Sequence, residues 1–368
     1  MKKLVFVASF AVVLVLANPA SAQVTMSPLA TWSPNGDGWL APGEGGYTFL
    51  GTGNLERGLG FGNGHVYLVS RNGGNNVRIL DALTGADLGG LNMTGVSGGT
   101  FPVNNMGVGG DGAIYVANLT TQSTTSPYKV YKWATEGSAP SVAYSGDSGL
   151  AGSRLGDDLA AIGSGSSTRL VGGYNSTPSV AGNNGYSIID PTAGTATAIA
   201  FSTPPNAGDF RLGITFSDSS HVIGTAGSSL YRYTSFSGTS GTLLASPAIP
   251  DPAGATADRL LAYAVVGGLP ILAVQSIGDS HVSIYDVTDP TNPVWLASGN
   301  NTSGTLTANG NGTGELAWNI TGANTAILYG LSSNQGIQAF GVTIPEPGSM
   351  ALAALGLMFA GCWRKLRS

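Results

Sequence analysis

From Val24 onward the chain alternates short apolar runs with stretches of Gly, Ser, Thr and Asn, and the runs recur as a series. One set reads Val66–Ser70, Ile114–Asn118, Arg169–Gly173, His221–Thr225, Ile271–Gln275 and Ala326–Gly330, with starts roughly fifty residues apart. Each member is preceded by another run, at 58–61, 105–108, 158–162, 212–216, 260–265 and 315–320. Each is followed by a third, at 77–81, 129–133, 186–190, 230–233, 282–286 and 336–340. A fourth is visible at 140–145, 196–201, 241–246 and 293–298. Runs this short, rich in Val, Ile and Tyr and bounded by turn formers, predict strands joined by many tight turns.

Four antiparallel strands per unit of this length are the signature of a β-propeller blade. The pattern therefore predicts an all-β, six-bladed propeller with blades near 54–91, 104–145, 157–201, 210–246, 259–298 and 315–342. The sixth unit stops after its third strand. Pro28–Ser33 ends like the other fourth strands and is expected to complete that blade, closing the ring so that no sheet edge is left open. This assigns 1–22 to a leader, 23–343 to the propeller and 344–368 to a tail.

Composition supports this picture. There are 57 Gly, and charged residues are 10 %, too few for long solvated helices. Five of the fifteen cations (Lys2, Lys3, Arg364, Lys365, Arg367) lie in the terminal segments, so the body carries ten cations against nineteen acids. A surface of that sign repels phosphate backbones, and nucleic acid is excluded as a partner. The single cysteine, Cys362, is in the tail, so the body has neither disulfides nor a thiolate metal site.

Both ends read as addresses. Lys2 and Lys3 precede an apolar run to Ala17 and the triplet Ala20-Ser21-Ala22, an order that marks a secretory signal helix cleaved to leave Gln23 first. At the far end, Pro345-Glu346-Pro347-Gly348 is followed by an apolar stretch, Met350–Trp363, and the basic Arg364-Lys365-Leu366-Arg367. This tail resembles the PEP-CTERM sorting signal. The resemblance implies that an exosortase-type enzyme recognises Pro345, Glu346 and Pro347. It further implies that the apolar helix inserts transiently in the inner membrane and that the product reaches the outer envelope, cell surface or extracellular matrix of a Gram-negative-type bacterium. The stretch is barely long enough to span a bilayer, as suits a temporary stop.

Three third strands end in Asp followed by a turn: Asp81 to Gly85, Asp190 to Gly194 and Asp286 to Pro290. These turns resemble those of YVTN-type extracellular propellers. Asp81, Asp190 and Asp286 are expected to accept main-chain N–H bonds in the turns.

Candidate chemistry is sparse. The long connections, 119–128, 146–156, 174–185, 203–210, 247–258 and 299–314, all link second to third strands or one blade to the next, and so share a face that is expected to carry recognition. Arg57, Arg154, Arg211 and Arg259 recur near the starts of the inner strands, with Glu56, Asp157, Asp158, Asp209 and Asp258 beside them. They either converge on the channel mouth and bind a carboxylate or sugar acid, or pair with their neighbouring acids to tie blade to blade. His65, His221 and His281 are scattered and make no metal site. Asn35-Gly36-Asp37-Gly38 offers oxygens for Ca²⁺ at Asp37 but fits a plain turn. The glycines of 58–64 lack the strand-to-helix context of a nucleotide loop.

No catalytic residue or cofactor emerges. The leading expectation is an exported, non-catalytic envelope or matrix protein whose propeller binds an extracellular polysaccharide or a surface protein. The alternative is a propeller enzyme of lactonase or polysaccharide lyase type with a metal in the central channel, for which Glu315 and Asp157-Asp158 are the available acids.

Overall fold

The apolar runs pair as antiparallel ladders into six sheets, each beginning with a strand at the centre of a ring. The structure, a computed structural model, describes residues 23–176, 184–227, 230–249 and 257–345, and the propeller unit spans Val24–Ile344. The inner strands are Glu56–Gly62, Phe101–Val108, Ala160–Ile162, Ile214–Asp218, Asp258–Val266 and Gly314–Gly322. The only helical elements among the described residues are the short 3₁₀ turns Glu44–Gly46 and Gly165–Ser167. None is long and apolar enough to cross a membrane. The expected signal helix, with Ala20 and Ala22, and the expected C-terminal helix, with Glu346, Pro347 and Gly348, lie outside the described residues.

The second strand of each blade is covered on both sides by its neighbours, which explains its unbroken apolar sequence. Ile114–Leu119 is buried along its whole length, whereas the outer Ser240–Ala245 is mostly exposed. Large tyrosines fill the seams between blades and spend their hydroxyls on the next blade. Tyr329 donates to Ala82 O at 2.6 Å, and Tyr186 shares a 3.1 Å bond with Thr234 Oγ1. An aromatic body with a polar tip suits a seam lined by main-chain carbonyls.

The ring is closed from the N-terminus, but not by the segment the pattern indicates. Thr25–Pro28 pairs with the last strand, Thr25 opposite Thr343 and Pro28 opposite Phe340. Trp39–Leu40 then resumes the same edge opposite Gln338 and Ile337. Leu29 N still donates to Ala339 O at 2.9 Å and Gly38 O accepts Ala339 N at 2.8 Å, and between them the chain leaves the sheet to bury Trp32. Its indole is fully buried between the first and last blades, 5.2 Å from the Tyr329 ring. Thr31 and Ser33 bind Leu83 O and Thr84 O of the first blade on the way.

Two further departures matter. The expected fourth strand 196–201 breaks at the buried Ile199, and Ala200–Phe201 joins the outer edge of the fourth blade in parallel. The inner edge of the third blade is split into Arg154–Leu155 and Ala160–Ile162, both paired to Arg169–Asn175. In the last blade, Gly314, Ser332 and Gly336 lie at one end of the ladder, and Thr325 and Thr343 at the other.

Candidate functional site at the channel mouth

The break in the third blade builds the site. Gly156 sits at φ +94, and a Cβ there would lie 1.9 Å from Asn118 O, so only glycine makes the turn. Asn104 and Asn105 of the second blade donate to Gly156 O (2.6 Å) and Asp157 O (3.1 Å), pinning the bulge. Asp157 and Asp158 are thereby placed on the axis end of the blade, where bulges commonly re-aim side chains.

Asp157 belongs to a cup of about 320 Å³ lined also by Arg57, Phe101, Arg154, Arg211 and Thr313. Arg154 grips the Asp157 carboxylate with a fork, Nε to Oδ2 at 2.6 Å and Nη2 to Oδ1 at 2.7 Å, and this bond raises the Arg154 pKa. Arg211 Nη1 approaches the same carboxylate at 3.5 Å. Arg57 makes no ion pair among the described residues and donates to the Thr313 hydroxyl at 2.7 Å. Burial lowers its pKa, partly offset by Asp157 and Glu56, while Arg154 lowers it further. Two guanidinium groups thus share one carboxylate, and a third lines the same cup without contacting it. The Nε groups of Arg57 and Arg211 are buried without a partner.

Of the four arginines singled out from the sequence, three converge. Arg259 does not line the cup; its Nη1 lies 3.2 Å from where a side chain on Gly312 would begin. Pairing with the adjacent acid holds for Arg154 and not for Arg57 or Arg211. Asp209 takes Arg232 instead, Nε to Oδ2 at 3.2 Å. Glu56 accepts Gly51 N at 2.7 Å, and burial raises its pKa. Sequence reasoning missed Phe101 and Arg71. The Arg71 guanidinium lies 3.6 Å from the Phe101 ring centroid, and burial, with Arg57 adding, pulls its pKa down to about 10. No spacing rule links the end of a second strand to the start of the next blade.

Nearer the axis, Asp158 and Glu315 come together from the third and sixth blades, which face each other across the ring. Asp158 accepts Leu159 N on Oδ1 and Ile214 N on Oδ2, both at 2.7 Å. Burial raises its pKa to about 6. Glu315 is pushed well higher, first by burial, then by the Asp158 charge and by their hydrogen bond. Burial and the neighbouring Asp158 charge thus both favour the neutral form of Glu315. The channel lined by Glu315 is about 200 Å³ and otherwise walled by residues such as Leu59, Gly107, Ala161, Leu261 and Ala317.

Both Asp158 oxygens accept main-chain N–H groups, while Glu315 Oε2 is buried without a hydrogen-bond partner among the described residues. No group of three or more His, Cys, Asp or Glu side chains among the described residues is placed to hold an ion.

The remaining candidates resolve as structural contacts. His65 Nδ1 meets Glu136 at 2.6 Å. Ser220 and Asp218 both contact Nδ1 of His221 (3.1 and 2.8 Å), whereas a relay needs one on each ring nitrogen. His281 is elsewhere, with Nε2 buried and unpartnered. Asp81, Asp190 and Asp286 accept main-chain N–H groups in their turns. Asp37 Oδ1 accepts the Ser33 hydroxyl and Trp39 N, at 3.0 and 2.9 Å.

Residues 44–256 match the model of a family described as a domain of unknown function, DUF4623, and residues 343–367 match the PEP-CTERM protein-sorting motif. A solved DUF4623 family protein from Bacteroides eggerthii aligns with TM-score 0.61 at 17 % identity, covering 80 % of this chain and 72 % of that one. A gluconolactonase from Xanthomonas campestris aligns with TM-score 0.50 at 12 % identity, over 88 % and 90 % of the two chains. At these identities the likeness concerns the fold alone. No curated protein matches the chain.

Proposed function

The chain belongs to the DUF4623 family and ends in a PEP-CTERM sorting motif, and on that premise we propose that its propeller binds an anionic extracellular polysaccharide without catalysing its breakdown. The motif makes it an exported protein, processed by an exosortase and sorted to the cell surface. The observation that carries the reading is the imbalance in the cup, where Arg57, Arg154 and Arg211 face the single carboxylate of Asp157. A half-buried cluster with excess guanidinium, its Arg57 buried, is a site that an anion would complete. Arg57, Arg154 and Arg211 are its ligand-binding residues; Arg259 supports the Gly310–Thr313 segment from behind.

The competing reading, a metal-dependent enzyme with its ion in the channel, would draw on Glu315 and on Asp158, whose two oxygens already accept Leu159 N and Ile214 N. The test is retention of the full chain on immobilised polygalacturonate, alginate and neutral dextran. Retention by the two acidic polymers is expected, weakening with salt and falling about tenfold in Arg57→Gln, the usual loss for one charge-assisted hydrogen bond. Equal retention on dextran, or none on any polymer, overturns the proposal. So does a stoichiometric divalent ion that stays bound through dialysis.

A further inference from the structure

Resting on that reading, we propose that the cup takes one hexuronate residue, a sugar ring lying on Phe101 with its carboxylate directed at Arg57 and Arg211. Phe101 opens its strand at the rim and remains 36 % exposed, large for an aromatic ring beside a buried charge cluster. Arg71 lies 3.6 Å from the ring centroid, and is itself held by Asn104 Oδ1 at 3.1 Å and Asn54 O at 3.4 Å. One face of Phe101 is thus fixed by a guanidinium that other groups already position. The opposite face is what an apolar sugar face can cover.

The polar half of the site is complementary. Arg154 is committed to Asp157 through both arms of its fork. Arg211 holds that carboxylate only at 3.5 Å, and Arg57 holds no carboxylate among the described residues. These two can turn toward a second carboxylate without breaking a short ion pair, and their unpartnered Nε groups supply spare donors. A cavity of about 320 Å³ sits at the lower end of small-ligand sites. It admits a sugar ring or two, so a chain end or side branch is the unit that enters.

The test is competition on the full chain bound to polygalacturonate. Free galacturonate and glucuronate should displace the polymer at concentrations at least tenfold below those of acetate or inorganic phosphate, and galactose should not displace it. Phe101→Ala should erase the advantage of the uronates over acetate, while Phe101→Tyr retains it. Phe101 is partly exposed, so neither variant threatens folding, and an unchanged melting curve confirms this. If acetate or phosphate competes as well as the uronates, or Phe101→Ala binds normally, the uronate assignment fails and the polysaccharide reading survives. If no acidic polymer binds the parent chain, both fail.

Discussion

Asp158 and Glu315, contributed by blades that face each other across the ring, are a pair of buried carboxyls, each held above its ordinary pKa first by burial. Both carboxyls bind protons more tightly in the folded chain than in the unfolded one. Their contribution is therefore most favourable below about pH 4 and declines as pH rises through about 6, where Asp158 titrates. Glu315→Gln removes the titration of Glu315 and leaves that of Asp158. It should be more stable than the parent at pH 7 by about 2 kcal/mol, with the difference vanishing near pH 4. Paired thermal melts between pH 4 and 8 check this; a constant difference contradicts the raised Glu315 pKa.

Asp157 holds two arginines. Asp157→Asn leaves three guanidinium groups facing no carboxylate in the cup and should lower stability by about 2 kcal/mol or more. Because the defect is excess positive charge, sulfate or citrate should restore the melting temperature further in the variant than in the parent. Equal responses to these anions contradict the charge imbalance.

Trp32 is buried between the first and last blades. Trp32→Ala should cost about 3–5 kcal/mol, and should speed proteolysis near residues 25–40 before the rest of the body. Uniform cleavage along the chain contradicts a role in closure.

Gly213 shows how closely two blades approach. A Cβ there would lie 1.8 Å from Arg259 O, a main-chain atom that cannot step aside. Gly213→Ala should destabilise by at least about 1–3 kcal/mol, as overpacking does, and lower the soluble yield. A melting temperature within a degree of the parent contradicts the close approach.

Much of the ring was legible in the residues. Val66–Ser70 and Ile114–Asn118 lack alternation because both sheet faces are covered, and that local signal fixed the centre of each blade. Placement of the closing strand was not legible. Pro28–Ser33 has the right ending, but the choice between pairing at the edge and burying Trp32 depends on a seam formed by the other end of the chain. The arginines were visible as a recurrence near inner strands. Which of them converge depended on Gly156 and the bulge after it, and the Arg71–Phe101 contact joins blades that no sequence interval relates.

The direction of the last strand sets what the cup meets. Thr343 ends beside Thr325 at the hairpin end of its blade, while Thr313, at the cup, precedes the opposite end. The two ends are separated by the length of a nine-residue strand, about 27 Å. The last strand therefore runs away from the cup, and Thr343 leaves the propeller at the face opposite the arginines.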